Sequence, residues 1–347
     1  MLVGTSRRRS SRDRVTGAEV AEAAGVSTSV VSLVLNGKDA GRANQATRDR
    51  VLAAARELGY RIDGRGQSLA TGQTGIIGFI APDNTTPFFA SLQHGLLSRL
   101  NPEYHLLTVV TDLGQAVTSE SIERMLRLGP DAIIVFALGT EDLSALRPGC
   151  PVLVLDSPGS EPHFPRIDLD VSASARALGQ HLASNGHRCL AYLDGNTGSQ
   201  SMEVRRRALL SAFRRGSTQA RTTVARCAID AAVARATVAA HWPTWKDAGV
   251  TAIACGSDLQ AFGAIAALRD VGVAVPRDVS VTGADDQPLS TVIEPNLTTV
   301  RLPSQLLGEM AAAQVRGILN GEPAQALPTV LPTEVVFRDS TGAAPTH

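Results

Sequence analysis

The chain is predicted to fold as a small three-helix head of the helix-turn-helix plan, joined by a polar linker to a larger α/β body of parallel, doubly wound sheet. Three features point there. Residues 1–73 hold twelve basic and seven acidic side chains, although the whole chain balances at 33 of each. The same stretch contains three short segments with an apolar stripe, punctuated by glycines. From Gly75 onward, continuous apolar runs of strand length alternate with helical stretches, the pattern of buried parallel strands.

Composition bounds the possibilities. With 347 residues, 44% of them hydrophobic and 19% charged, the chain has the make-up of a globular protein of two or three domains. No apolar run approaches the ~18–20 residues of a membrane span. The opening "MLVGTSRRRSSRDRV" has arginines but no apolar segment behind them, so it does not read as a secretory signal. Cys150, Cys189, Cys227 and Cys255 are far apart and suggest neither a metal cluster nor a disulfide framework. A cytoplasmic protein with no membrane association, no metal and no cofactor is expected. The basic head, on a body that must carry the compensating negative charge, suggests a polyanion partner for the head.

Each head element has a local cause. Thr16 and Glu19 have the spacing of a capping box, so a helix should start at Thr16 and end near Ala24, with Gly25 supplying the left-handed residue. Ser27 can cap a second helix. Val30, Val31, Val34 and Leu35 form its apolar stripe, which leaves Thr28, Ser29, Ser32 and Leu33 on the other side. Asn36 and Gly37 close it. A third helix is expected from Asn44 or Thr47 to Leu58, with Val51, Leu52, Ala55 and Leu58 as its stripe and Gly59 as its stop. In a helix-turn-helix the second helix enters the major groove and its first turn meets base edges. Thr28 and Ser29 are short enough to come close and can donate or accept hydrogen bonds there.

In the body, strands are expected at Ile76–Ala81, Leu106–Thr111, Ala132–Phe136, Val152–Leu155, Cys189–Leu193, Ala252–Cys255 and Val279–Thr282. Ligands of open α/β sheets sit beyond the carboxyl ends of strands. That rule selects the loop "PDNTTPFF" after the first strand, Asp156 after the fourth, Ser257 and Asp258 after "AIACG", and Asp285 after "SVTGA". For each acid except Asp285, for which the pocket is favoured, a helix-capping or packing role competes with a pocket role, as does core packing for one of the two phenylalanines of the loop.

The segments "VAEAAGVSTSVVSLVLNG", "TRDRVLAAARELGYR" and "SLATGQTGIIGFIAPDNTTPFF" closely resemble the lactose-repressor (LacI) type of bacterial transcription regulator. So do "GSDLQAFGAIAALRDVGVAVPRDVSVTGADD", "PNLTTVRLP" and "LPTEVVFRDST". The resemblance covers nearly the whole chain in the family's order. It implies a DNA-binding headpiece at 1–60, with residues 1–14 read as a disordered tail, a hinge at 61–74 and an effector-binding and dimerisation domain at 75–340. It also implies that the body is two-lobed and periplasmic-binding-protein-like. Lobe 1 would take about 75–168 and 302–328, and lobe 2 about 169–300 and 330–340. Crossings are expected near 168–172, 299–302 and 327–332.

The resemblance implies contacts to double-stranded operator DNA by Thr16, Ser27, Thr28, Ser29, Ser32, Leu33, Asn36, Thr47 and Tyr60. Leu69 would be a minor-groove wedge from the hinge. Leu33 stands where the family commonly has arginine, and Gly64 and Gly66 replace helix-favouring hinge residues at about 1 kcal/mol each. Asp83, Thr86, Phe88, Phe89, Asp156, Ser257 and Asp285 match the family's effector pocket. Glu203 falls where the family places a ligand-clamping arginine, with Arg205 two residues on. A pocket without that arginine would suit a sugar-like polyol, a nucleoside or a cation better than an anionic ligand.

No enzyme signature is present: no G-x-S-x-G, no G-x-x-x-x-G-K-[ST], no H-E-x-x-H, and no catalytic residue is assigned. The expected function is a dimeric DNA-binding regulator, a repressor controlled by a small molecule such as a sugar, polyol or nucleoside. The alternative is a solute or sugar sensor without DNA function.

Overall fold

The computed structural model describes residues 15–35, 39, 41–60, 72–111, 117–136, 149–158, 164–323 and 329–346. The chain divides into two compact units, Met1–Thr74 and Gly75–His347. Among the described residues no single helix is long and apolar enough to cross a membrane.

The head consists of α1 (Gly17–Ala24), α2 (Thr28–Leu35) and α3 (Gln45–Glu57). Thr16 and Glu19 form both halves of a capping box, and Gly25 closes α1 at φ 64°. The Val30 N–H donates to Ser27 Oγ at 3.4 Å and starts α2. Asn44 rather than Thr47 caps α3, its Oδ1 accepting the Thr47 N–H at 2.8 Å. Val20, Ala21, Ala24, Val31, Val34, Val51, Ala54 and Ala55 make the core. Leu58, expected in the α3 stripe, is instead 37% exposed. It caps α3 rather than lying within it, and Ala54 takes an inward place because it lies three residues, nearly one turn, from Val51.

The first lobe of the body contains β1 (Ile76–Ala81), α4 (Pro87–Leu100), β2 (His105–Val110), α5 (Ser119–Leu126), β3 (Ala132–Phe136), β4 (Val152–Leu155) and β5 (Arg166–Asp170). The second lobe continues with α6 (Val171–Ser184), β6 (Cys189–Gly195), α7 (Gln200–Arg215), β7 (Arg221–Cys227) and α8 (Ala231–Asp247). It is completed by β8 (Ala252–Cys255), α9 (Asp258–Asp270), β9 (Ser280–Thr282) and β10 (Thr299–Arg301). The chain then returns to the first lobe through α10 (Ser304–Leu319) and β11 (Thr329–Pro332), and goes back with β12 (Glu334–Val336). The first sheet has the order β11-β5-β4-β3-β1-β2 and the second β7-β6-β8-β9, with β10 and β12 as a separate pair. Every pairing within the two large sheets is parallel.

Sequence causes are visible in the central strands. β3 (AIIVF), β4 (VLVL) and β8 (AIAC) are buried along their whole length, as expected of parallel strands covered on both faces. β5 (RIDLD) and β7 (RTTVARC) were not expected as strands, because charged residues interrupt their apolar pattern. β7 tolerates them as an edge strand. Return of the chain to the first lobe depends on small residues. A Cβ on Gly95 would strike the Gln305 carbonyl, and one on Gly308 the Leu92 carbonyl, so α4 and α10 approach backbone to backbone.

The three crossings fall between Asp170 and Val171, at Leu302–Pro303 and at Thr333. The second lobe was expected to start at 169 and to resume at 330. The register Thr329↔Ile167 to Pro332↔Asp170 instead carries both strands of the first sheet to their last residue. Thr333 Oγ1 donates to the Asp170 carbonyl at 2.7 Å, tying two crossings together.

Candidate functional site

On the head, the outward face of α2 carries Thr28, Ser29 and Ser32, all exposed, and Leu33, half-buried. These positions cluster on one side because i, i+1, i+4 and i+5 span only part of a helical turn. The other expected contact residues are less uniform. Ser27 is exposed and caps α2. Thr16 is committed to its cap, its hydroxyl donating to Glu19 Oε2 at 2.9 Å. Thr47 is half-exposed in the first turn of α3. Tyr60 packs against the head's core, and a Cβ on Gly17 would sit 3.3 Å from its hydroxyl. Arg48 pairs with the buried Asp39 at 3.3 Å. Asn36, Leu69 and the arginines of the N-terminal tail lie outside the described residues.

The body holds a cavity of about 480 Å³. Its walls are the segments that follow the carboxyl ends of strands in both lobes, where such folds place ligands. From the first lobe come Pro82, Asp83, Thr85, Thr86, Phe88, Phe89, Phe136 and Asp156; from the second come Asn196, Thr197, Ser199, Ser201, Met202, Arg205, Ala228, Ile229, Asp230, Gly256, Ser257 and Asp285. Leu302 lines it at a crossing.

One wall is aromatic. Phe88, Phe89 and Phe136 form a closed triangle of edge-on rings with centroids 5.0–5.4 Å apart. The rest of the lining includes charged groups from both lobes. Arg205 is 7% exposed and its Nη1 donates to the Gly256 carbonyl at 2.7 Å, which fixes the guanidinium against the sheet. Ser201 and Arg205 both stabilise the buried Asp156 carboxylate, Ser201 by a hydrogen bond and Arg205 by its charge, and Arg205 Nε is buried with no hydrogen-bond partner among the described residues. Buried polar atoms are nearly always paired, so the unpaired Arg205 Nε beside the Asp156 carboxyl marks a place where a ligand can complete the pairing.

Burial pushes the Asp156 carboxyl up to about 6 against the opposing pull of Arg205. Asp285 is pushed up to about 8, by burial first and by the Asp258 charge second, again opposed by Arg205. Both aspartates hold left-handed backbone, at φ 50° and φ 123°, a cost of order 1–3 kcal/mol each that the surrounding structure must sustain.

Among the expected pocket residues, Asp83, Thr86, Phe88, Phe89, Asp156, Arg205, Ser257 and Asp285 line the cavity. Several also hold the scaffold. Asp83 Oδ1 accepts from Thr85 at 2.7 Å, and Ser257 Oγ caps α9 by accepting the Gln260 N–H at 3.2 Å. Asp258 is wholly structural, accepting from Ser290 Oγ at 2.7 Å and the Gln287 N–H at 2.8 Å.

Glu203 does not line the cavity. It points away from the cavity and pairs with Arg206 and Arg207. On α7, Ser201 and Arg205 lie one turn apart on the inward face, and Glu203 falls between them on the far side. The cavity therefore does have its arginine. Phe136, Asn196, Thr197, Ser201 and Asp230 were missed. Asn196 and Asp230 follow β6 and β7, so the strand-end rule would have found Asp230 had β7 been recognised. Ser201 was legible as the i−4 partner of Arg205.

A helix-turn-helix head and a two-lobed body with a cleft between parallel sheets define a class of protein, the transcription regulators with a periplasmic-binding-protein-like sensor domain. A family model described as bacterial regulatory proteins, lacI family, matches residues 18–63, and one described as a periplasmic binding protein-like domain matches residues 180–341. The chain is 31% identical to the HTH-type transcriptional regulator MalR of Streptomyces coelicolor, over 94% of this chain and 97% of the relative. The solved structure of the lac repressor dimer bound to operator and the anti-inducer ONPF superposes with a TM-score of 0.78 at 26% identity, covering 95% of this chain and 100% of that one. The transcriptional regulator CelR–cellobiose complex does so at 0.66 and 25%, covering 94% and 100%. The chain belongs to the lacI family of bacterial regulatory proteins. It is a DNA-binding transcription regulator and not an enzyme.

Proposed function

We infer that the protein represses transcription in the cytoplasm as a homodimer on an approximately palindromic operator, and that a neutral, polyhydroxylated small molecule in the body cavity controls its affinity. The observation that carries the ligand reading is the combination of an aromatic cluster and buried polar groups in one cavity. Three phenylalanine rings line the same cavity as a buried carboxyl, hydroxyl and guanidinium, the last with its Nε unpaired among the described residues. A sugar, polyol or nucleoside has the matching chemistry: an apolar face to lie on the rings, and hydroxyls that can donate to Asp156 and accept from Arg205. Four aspartates line the cavity against one guanidinium, and with Asp285 holding its proton at neutral pH the other three still outnumber Arg205, which disfavours phosphorylated or acidic ligands. The lac repressor and the cellobiose-bound regulator, whose structures this chain resembles, support both halves of the reading.

For the DNA half, one α2 per chain implies two half-sites about one helical turn apart. Thr28, Ser29, Ser32 and Leu33 would face the bases, and the hinge with Leu69 would reach the minor groove between them. A thermal-shift panel of sugars, polyols and nucleosides tests the ligand, since occupancy at 100 times Kd adds ~2.7 kcal/mol. Footprinting on genomic fragments tests the dimer. Stabilisation by sugar phosphates alone would overturn the first half, and protection of a single asymmetric half-site the second.

A further inference from the structure

The eight residues of α2, TSVVSLVL, comprise three hydroxyl and five aliphatic side chains. In the major groove, guanine is read by arginine or lysine, adenine by asparagine or glutamine, and cytosine by an acid. None of these side chains is on α2. The remaining distinguishing group is the thymine C5-methyl, which is read by apolar contact. α2 has an apolar group placed for it. Val30, Val31, Val34 and Leu35 belong to the head's core or pack on it, whereas Leu33 does not. Leu33 remains partly exposed on the outward face, one turn after the exposed Ser29 and beside the exposed Ser32. Thr28, on the same face, brings a second methyl next to its hydroxyl. An aliphatic side chain that the core does not use gains its burial only when something covers it.

Resting on the reading of the head as a major-groove binder, we propose that α2 selects its half-site by thymine methyl groups, with Leu33 and the Thr28 methyl as the contacting groups. The base pairs under this helix are then A·T pairs with their methyls turned toward it. Ser29 and Ser32 contribute single hydrogen bonds, which tolerate more than one base.

The full-length protein is used to select a duplex from a random library, and each thymine of the selected operator is then replaced by deoxyuridine. This deletes the methyl and keeps every hydrogen-bonding group. The expected result is one or two positions in each half-site where the replacement weakens binding about fourfold per methyl, the worth of one buried methyl-sized group. At those positions a 5-methylcytosine·guanine pair should bind better than a cytosine·guanine pair. Leu33→Ala should bind the thymine and uracil operators more nearly alike. The wild-type comparison depends on no variant's folding. An operator indifferent to all thymine-to-uracil replacements overturns the proposal and leaves the regulator reading standing. A library that yields no preferred sequence overturns the regulator reading itself.

Discussion

In the head, the polar side chains of the candidate interface stand in water: Thr28, Ser29 and Ser32 are exposed, and the cap on Ser27 is made by the backbone of the same helix. In the cavity the polar side chains are taken out of water: Asp156, Ser201 and Arg205 are 5%, 1% and 7% exposed, and Arg205 Nε has no partner among the described residues. The head holds little in reserve. Its contacts with a partner would be many, weak and sensitive to salt. The cavity holds more. An unpaired buried polar atom costs ~1–3 kcal/mol in the free protein, and a ligand that pairs with it recovers that. Small changes in the cavity should therefore act strongly on ligand affinity, while small changes in the head act on sequence discrimination.

The sharpest way to break this contrast is Arg205→Met. Loss of a buried, hydrogen-bonded charge costs ~2–5 kcal/mol of binding, so calorimetry should find ligand affinity reduced at least thirtyfold. Retained affinity would mean that the cavity works by weak contacts, as the head does. Asp285→Asn comes next. The swap keeps the volume and suits the left-handed backbone at φ 123°. It should abolish the effector response while operator binding without effector stays intact. Normal effector affinity would remove Asp285 from the ligand's reach.

The same residue predicts a pH dependence. A carboxyl whose folded pKa is raised holds its proton where the unfolded chain has lost it, so stability falls as pH rises between the two values. For Asp285 that window runs from 3.8 to about 8, and for Asp156 from 3.8 to about 6. His187 is pushed down from 6.5 to about 4 by burial and acts in the opposite sense, adding stability as pH rises through that range. Above pH 6.5 the Asp285 slope no longer meets opposition from His187. The melting temperature of the ligand-free protein should fall from pH 6.5 to 8 and flatten in Asp285→Asn. Equal slopes in both proteins would contradict the assignment.

Thr28→Ala and Ser29→Ala are expected to lower the ratio of operator to random-sequence affinity by roughly tenfold, since base contacts carry discrimination and phosphate contacts do not. Binding to random DNA should hardly change. A uniform loss on all sequences would place these hydroxyls on phosphates. Least of all should follow from Glu203→Ala. Its pair with the exposed Arg207 lies at the surface and is worth ~0–1 kcal/mol, and the more buried Arg206 keeps Asp194 as a second partner. A large loss of effector binding would reopen the register of α7.

The head could be read almost entirely from the sequence, because its determinants are local. The capping box of Thr16 and Glu19, the glycine at 25 and the stripe of α2 all act within three or four residues. The central strands were equally legible, since continuous apolar runs such as AIIVF can only be buried. Strand-end positions Asp83, Asp156 and Asp285 followed from one rule about where such sheets bind. The three-dimensional fold decided the rest. A sequence register two residues off exchanges Glu203 for Arg205, and only the packing of α7 against the second sheet settles which side chain turns inward. Phe136 reads as core from its neighbours until the rings of Phe88 and Phe89 close the triangle around it. β7 is hidden by its own arginines, and with it Asp230. The cavity draws on residues from Pro82 to Leu302. No local pattern spans that distance, because the energy that brings those segments together is the burial of two sheets and not any preference of the residues at the site.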